Sequence, residues 1–206
     1  MLSGGDPNTV HSIGFLLYLI EIGDRKILID AGCDDLPGFV LADHVSPATA
    51  LCSYGIRPEQ ITDVIITHAH HDHIQGVHHF PNAVIYIQEE EYRKDHSYIH
   101  PETVVVSFAE ECIVADCVKV LKIGGHSVGS SIALLSTPQG CLVFGGDECY
   151  LPVCIHRHIP TGVSHDPQKS LEFLEKYGTS QYQILLSHDP GIQTGILFKT
   201  RKELSV

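Results

Sequence analysis

Residues 63–73 read Asp-Val-Ile-Ile-Thr-His-Ala-His-His-Asp-His, an apolar run followed at once by histidines and an aspartate. The run Asp63–Thr67 is β-branched and nearly continuously apolar, which is typical of a strand buried on both faces. The polar residues therefore begin where a rigid strand ends, which is the usual place for a binding site. Imidazole and carboxylate together are ligands for zinc and neighbouring transition metals. Because residues in a tight turn cannot all face one ion, we expect two groups that hold two ions.

Strand patterns recur along the rest of the chain. Phe15–Ile20 and Lys26–Ile29 flank the turn pair Gly23-Asp24 and predict a β-hairpin. Many short strands with interspersed helices favour an α/β layered fold, and the length of 206 residues favours one domain over residues 1–206. Further strands are expected at residues 84–87, 118–123, 132–136, 141–144 and 183–186, and helices at residues 45–54, 88–95 and 167–177.

Three later elements supply the same types of ligand at strand ends. His126 lies in the glycine-rich loop Gly124–Ser130, Asp147 ends an apolar strand, and His188 follows the apolar run Ile184–Leu186. A solvated, histidine-rich turn is the alternative interpretation of residues 68–73. A solvated turn does not explain why three further potential ligands also lie at strand ends, so we favour a metal site.

Composition agrees with a metal protein and excludes other classes. The chain has 15 histidines against 13 lysines and arginines, and histidine is the commonest metal ligand. A net charge of −12 argues against a nucleic-acid partner, since phosphate binding needs a basic face. No apolar run approaches the roughly 20 residues that cross a bilayer, and residues 1–6 lack the features of a signal peptide. We therefore expect a cytoplasmic protein with no membrane partner, in which the 7 cysteines are reduced thiols.

In this order the motifs resemble the metallo-β-lactamase superfamily. The family pattern is a strand aspartate, His-x-His-x-Asp-His, Gly-His followed by small residues, an aspartate and a final histidine. The resemblance runs from Asp30 to His188 and implies an αββα sandwich of two mixed β-sheets flanked by helices. It also implies two divalent metal ions, with zinc preferred and iron, manganese or cobalt as alternatives. The implied ligands are His68, His70 and His126 for the first ion, Asp72, His73 and His188 for the second, and Asp147 as a bridge, with Asp30 orienting ligands.

The implied site predicts a hydrolase. Two ions that share a water lower the pKa of that water towards neutrality, so that hydroxide is available at pH 7 to attack a carbonyl. Asp72 or Asp147 could pass a proton to the leaving group. This chemistry serves a lactone, ester, thioester, amide or phosphodiester, and the ligands alone do not choose among these substrates.

Tyr150 narrows the choice of substrate. The pattern Asp147-x-x-Tyr150 resembles the N-acyl-homoserine lactone lactonases, in which the phenol hydrogen-bonds near the lactone carbonyl and stabilises the developing oxyanion. The stretches at residues 80–92 and 159–174 are also similar to lactonase-like members. The resemblance implies a small lactone or ester as substrate, gives Asp72, Asp147 and Tyr150 as catalytic residues, and leaves a homodimer open. A tyrosine that only packs at a strand end is the plain alternative.

Two other functions stay open at this stage. A thioesterase of the hydroxyacylglutathione hydrolase kind shares the metal motif, but it would need a basic C-terminal region, for which only Lys199, Arg201 and Lys202 are available. A degenerate member that binds a ligand without turnover is the non-enzymatic alternative, although all the ligands are retained. Gln75 and Val128 stand where many members carry glycine and proline, and neither change removes a ligand.

Overall fold

The first of two β-sheets is built mainly from parallel strands. The computed structural model describes residues 12–191. The hairpin predicted at the start is present and antiparallel, and the three following pairings are parallel. The strands, in their order across the sheet, are β1 (Tyr18–Ile22), β2 (Arg25–Ile29), β3 (Asp63–Ile66), β4 (Val84–Gln88) and β5 (Val105–Phe108). All four residues of β3 are buried, as its continuous apolar pattern predicts.

The second sheet is mainly antiparallel, with one parallel pair at its edge. Its strands are β6 (Glu111–Ala115), β7 (Val118–Lys122), β8 (Ser131–Thr137), β9 (Gly140–Phe144) and β10 (Tyr182–Leu185). They lie in the order β10-β9-β8-β7-β6, and only β9 and β10 are parallel. Both sheets are therefore mixed.

Short helices connect and cover the sheets. The α-helices are α1 (Pro47–Ser53), α2 (His71–Ile74), α3 (Glu89–Lys94), α4 (Pro152–Arg157) and α5 (Pro167–Tyr177). Three 3-10 helices lie at Pro58–Gln60, Gln75–His79 and Gly146–Glu148. The longest helix, α5, begins where the sequence predicts: the Asp166 carboxylate accepts from the backbone N–H groups of Gln168 and Lys169, and Pro167 occupies the first turn.

Three buried clusters define four layers. Ile29 and Ile65 of the first sheet share one cluster with Val120 and Phe144 of the second, so the sheets pack face to face. A second cluster lies on the outer side of the first sheet and includes Leu51 of α1. A third covers the outer side of the second sheet with residues from α4 and α5. The expected αββα sandwich is confirmed.

The beginning of the described chain differs from the prediction. Strand β1 starts at Tyr18, three residues later than the apolar run suggests. Before it, the backbone N–H of Gly14 donates to the carbonyl of His188 at 3.1 Å, and that of Leu16 donates to Ser187 at 3.0 Å. This segment therefore crosses to the end of β10 in the other sheet instead of extending β1. Strands β5 and β6 and helices α2 and α4 were not predicted from the sequence.

Several expectations concern composition and the chain ends. No helix among residues 12–191 is long and apolar enough to cross a membrane. All seven cysteines lie in this range, and none of them forms a disulfide there. Residues 1–6 and the basic residues Lys199, Arg201 and Lys202 lie outside the described residues. One domain over residues 1–206 stays a prediction.

Candidate metal centre

The predicted ligands come from loops at the ends of strands in both sheets. His68, His70, Asp72 and His73 follow β3, where α2 begins. His126 lies between β7 and β8, while Asp147 and His188 follow the parallel pair β9 and β10. The structure brings these side chains together in two adjoining groups, which are His68, His70, His126 and Asp147 in one and Asp72, His73 and His188 in the other.

The first group has three imidazole nitrogens in one small space. Nδ1 of His70 lies 2.9 Å from Nε2 of His68 and 2.9 Å from Nε2 of His126. Asp147 completes the group, with its Oδ2 at 3.7 Å from Nε2 of His68 and 3.4 Å from Nε2 of His126. This is a three-histidine, one-carboxylate set suited to a tetrahedral transition-metal ion.

The second group uses the other oxygen of the same carboxylate. Oδ1 of Asp147 lies 3.2 Å from Nε2 of His73 and 3.1 Å from Nε2 of His188. Oδ2 of Asp72 lies 3.7 and 3.6 Å from those two nitrogens. Asp147 therefore presents one oxygen to each group, which is the arrangement of a bridging ligand.

Hydrogen bonds on the far side of two rings fix which nitrogen faces the centre. Nδ1 of His126 lies 2.8 Å from the carbonyl of Val163, and Nδ1 of His188 lies 2.8 Å from the carbonyl of Gly14. A carbonyl only accepts, so each Nδ1 carries the hydrogen and each neutral ring turns the lone pair of Nε2 towards Asp147. Lone pairs that face a carboxylate repel it unless a cation lies between them.

Buried atoms at the centre lack ordinary partners. Nε2 of His73 and Oδ1 of Asp147 are buried and lie 3.2 Å apart, but neither makes a hydrogen bond of good geometry with any described residue. Buried polar atoms are rarely left in this state because the cost is about 1–3 kcal/mol each. The donor set and these unpaired atoms both fit a pair of divalent cations.

Asp30 orients two of the imidazoles. It follows β2 with a left-handed backbone, φ 62°, and its carboxylate accepts from the N–H of Thr67 at 2.8 Å and the hydroxyl of Thr67 at 3.0 Å. Its Oδ2 also lies 2.8 Å from Nδ1 of His73. The Thr67 hydroxyl lies 3.1 Å from Nδ1 of His68, so Asp30 holds His73 directly and His68 through Thr67.

The electrostatics of the two groups differ. Burial, followed by the neighbouring His126, lowers the pKa of His70 to about 4. Burial also works to lower the pKa of His73, but the carboxylates of Asp147 and Asp30 outweigh it and raise that pKa well above its usual value. The pKa of His188 is raised as well, because Asp147 outweighs burial. The centre thus attracts positive charge most strongly in the second group.

Two buried glutamates that sequence reasoning missed support the ligand loops. Glu91 of α3 accepts from the N–H of Ala69 at 2.9 Å, from the hydroxyl of Ser127 at 2.7 Å and from the N–H of Gly129 at 2.8 Å. It therefore joins the His68–His73 loop to the loop that carries His126. The one indication of this role in the sequence is the run of small residues after His126. Such a run leaves backbone N–H groups that need a hydrogen-bond acceptor.

Glu148 holds the other side of the His126 loop. Its Oε1 lies 3.1 Å from the N–H groups of both Gly125 and His126, and its Oε2 accepts from the Ser170 hydroxyl at 3.2 Å. A Cβ on Gly125 would lie 2.3 Å from that Oε2, so this position has room only for glycine. From the sequence alone, a glutamate next to a predicted ligand is expected to be exposed, because buried glutamates are rare.

Tyr150 lies against the centre and His71 faces away from it. The Tyr150 ring packs edge-on against His126 at 5.8 Å and His188 at 5.3 Å between ring centroids. Burial, followed by the carboxylates of Asp147 and Asp72, raises the pKa of Tyr150, so the phenol stays a hydrogen-bond donor at neutral pH. His71 instead places its nitrogens 3.0 Å from the hydroxyl of Tyr98 and 3.1 Å from Asp35.

Comparison with known proteins identifies the class. The family model of the metallo-beta-lactamase superfamily matches residues 16–186, which includes every ligand predicted above except His188, two residues beyond the end of the match. The chain therefore belongs to the metallo-beta-lactamase superfamily, the class of metal-dependent hydrolases that the motifs resemble.

Individual relatives are distant. Metallo-beta-lactamase domain-containing protein 1 of Xenopus laevis is 28% identical over 153 residues, 68% of this chain and 64% of that protein. Beta-lactamase-like protein 2 homolog of Drosophila melanogaster is matched over 23% of its length, so the chain spans less than two thirds of either relative. N-acyl homoserine lactonase of Bacillus thuringiensis is 24% identical over 85% of this chain and 82% of its own length.

Solved structures share the fold. A B. thuringiensis AiiA variant with N-decanoyl-L-homoserine at its active site has a TM-score of 0.78 at 21% identity, over 92% of this chain and 86% of that chain. AidC, a dizinc quorum-quenching lactonase, has a TM-score of 0.68 at 20% identity, over 87% and 74% of the two chains. The fold expected from the sequence is thus confirmed.

Proposed function

We propose that the chain is a dinuclear-metal hydrolase that opens the ring of a small lactone, with N-acyl-homoserine lactones as the first candidates. The observation that carries the proposal is the position of Asp147, which gives one oxygen to each ligand group, together with Tyr150 packed against His126 and His188. Lactonases among the curated and structural relatives support the same choice.

The ligand set holds two divalent ions in this proposal. His68, His70 and His126 bind one ion, Asp72, His73 and His188 bind the other, and Asp147 bridges them. Zinc is preferred because of the imidazole–carboxylate donors, with iron, manganese or cobalt as alternatives. When bound, the ions would supply Lewis acidity and an activated water.

Access to the centre is on the side of His70 and Asp72. These two are partly exposed, whereas the other ligands are buried. In this proposal a lactone carbonyl enters on this side, and the Tyr150 phenol donates its hydrogen to the carbonyl oxygen and stabilises the charge that develops there. The positioning of Tyr150 against two ligand rings keeps this donor in place before substrate binds.

Asp72 is the better placed of the two carboxylates to move a proton. Its side chain is 18% exposed, while that of Asp147 is 6% exposed and has an oxygen committed to each group. Asp72 can therefore reach a leaving alkoxide and exchange its proton with solvent. Asp147 serves as a ligand.

The test is acid release from lactones by the zinc-loaded protein. N-acyl-homoserine lactones with short and long acyl chains should be opened, and Tyr150→Phe should lower kcat about 10–100-fold, somewhat less than the loss of a full oxyanion donor. Tyr177→Phe is the matched control, since Tyr177 is a buried tyrosine that packs on Phe173 in the outer core.

Absence of turnover for every chain length would refute the lactonase proposal. Equal rates for Tyr150→Phe and Tyr177→Phe would refute the role of the phenol. Activity on lactoylglutathione that matches or exceeds activity on lactones would favour the thioesterase alternative. A homodimer and a cytoplasmic location stay predictions.

A further inference from the structure

A third group of metal-ligating side chains lies outside the candidate centre. Asp34 follows β2, and His78 and His79 end the 3-10 helix Gln75–His79. Oδ2 of Asp34 lies 3.2 Å from Nε2 of His78, and Oδ1 lies 2.8 Å from Nε2 of His79. All three ligand atoms lie within 4.8 Å of one another. The two rings lie 4.1 Å apart between centroids, tilted by 40°, and both Nε2 atoms lie beside the same carboxylate.

The hydrogen bonding of His78 sets the direction of its lone pair. Nδ1 of His78 lies 2.8 Å from the carbonyl oxygen of Gln75, which only accepts. The hydrogen of a neutral ring is therefore on Nδ1, and the lone pair of Nε2 points at the carboxylate of Asp34. As in the main centre, a cation between these atoms turns repulsion into attraction.

The backbone around the group is already held in position. Oε1 of Gln75 accepts from the N–H of Asp34 at 2.7 Å, and the N–H of Gly76 donates to the carbonyl of Gly32 at 2.8 Å. A Cβ on Gly76 would lie 2.3 Å from the carbonyl of Ala31, so only glycine allows the two segments to approach this closely. Gln75 thus fixes both Asp34 and His78, and the three ligands need no large movement to meet one ion.

We propose that Asp34, His78 and His79 bind a further divalent transition-metal ion, with zinc the best fit to two imidazoles and one carboxylate. The side chain of His78 is 47% exposed, so the remaining coordination positions face water. Such an ion exchanges with solvent more readily than the ions of the buried centre.

The ion would hold together two segments that also form part of the main centre. The loop after β2 begins with Asp30, which holds His73, and the helical segment at residues 71–79 contains His73 itself. Occupancy of the outer site therefore stabilises the packing around the second ligand group without contributing a ligand to it.

The test compares zinc content among single variants. Wild type, His78→Gln, His79→Gln and His96→Gln are dialysed against the same buffered free zinc, and bound zinc per chain is measured by mass spectrometry. His96 is the matched control, because it is also exposed and its Nδ1 also lies near a backbone carbonyl, that of Tyr92 at 2.9 Å. Wild type and His96→Gln should bind one more ion than the other two variants.

Equal zinc content in all four proteins would overturn the proposal, whether or not the protein hydrolyses lactones. Asp34→Asn, which keeps the shape of the side chain, should also lose the ion and carries the test if His79→Gln does not fold. A second readout is thermal unfolding: added zinc should raise the melting temperature of wild type more than that of His78→Gln.

Discussion

Glu91 offers a test of the idea that the ligand loops depend on one buried carboxylate. It is fully buried in α3 and accepts three hydrogen bonds from the two loops that carry His70 and His126. In Glu91→Gln the amide oxygen can keep the bonds from Ser127 and Gly129, but the amide NH2 then faces the N–H of Ala69. The variant loses the hydrogen bond from Ala69 to a charged carboxylate and places two N–H donors face to face. This lowers the free energy of unfolding by about 1.5–3 kcal/mol.

Glu89→Gln is the control in the same helix. Glu89 is half-buried, with its side chain 42% exposed, and pairs with Arg93 one turn later, an interaction of about 0.3–0.5 kcal/mol. Urea unfolding of the metal-free proteins should show Glu91→Gln less stable than wild type by about 1.5–3 kcal/mol, with Glu89→Gln almost unchanged. Typical domains have about 5–15 kcal/mol of stability, so the variant should still fold.

A second readout separates loop positioning from general stability. Folded Glu91→Gln should bind zinc at the first ligand group more weakly, because the loops that carry His70 and His126 lose their common anchor. A free energy of unfolding for Glu91→Gln within about 0.5 kcal/mol of Glu89→Gln, a range typical of surface substitutions, would refute the reasoning.

Two further predictions concern the centre itself. Asp30→Asn should weaken zinc binding about 10–100-fold, since the carboxylate that holds His73 is replaced by an amide; unchanged affinity in a zinc-competition titration would contradict this. As pH falls, the ion held by His73 and His188 should leave first, because their pKa values are raised and protons compete there earlier, whereas His70, with a pKa of about 4, stays neutral longer. Zinc content measured from pH 8 downward should fall in two steps, and a single step would contradict this order.

The sequence predicted those parts of the molecule that have local signals. Strand β3 is recognisable because both its faces are covered, and the polar residues after β3, β9 and β10 mark strand ends. Strands β5 and β6 were not predicted, and each lies at the edge of its sheet. In β6 the burial alternates, but Ile113 is 70% exposed, so the sequence lacks the matching alternation of polar and apolar residues.

The supporting residues of the site could not be predicted for a different reason. Glu91 and Glu148 act on donors that lie 18 or more residues away in the sequence, and only the folded chain shows that these carboxylates are buried. The same holds for Val163 and Gly14, which contact the imidazole rings through a backbone carbonyl alone. Every residue type has that group, so no pattern of side chains reveals it.

The contact between Gly14 and His188 has a practical consequence for anyone who wishes to reuse this centre. A graft of the ligand side chains onto another scaffold would leave His188 free to rotate and to exchange tautomers, because its partner belongs to a distant stretch of main chain. The transplant would have to include the segment that crosses from the first sheet to the second. A design that transfers this centre must therefore copy the ligand side chains together with the backbone segment that holds His188.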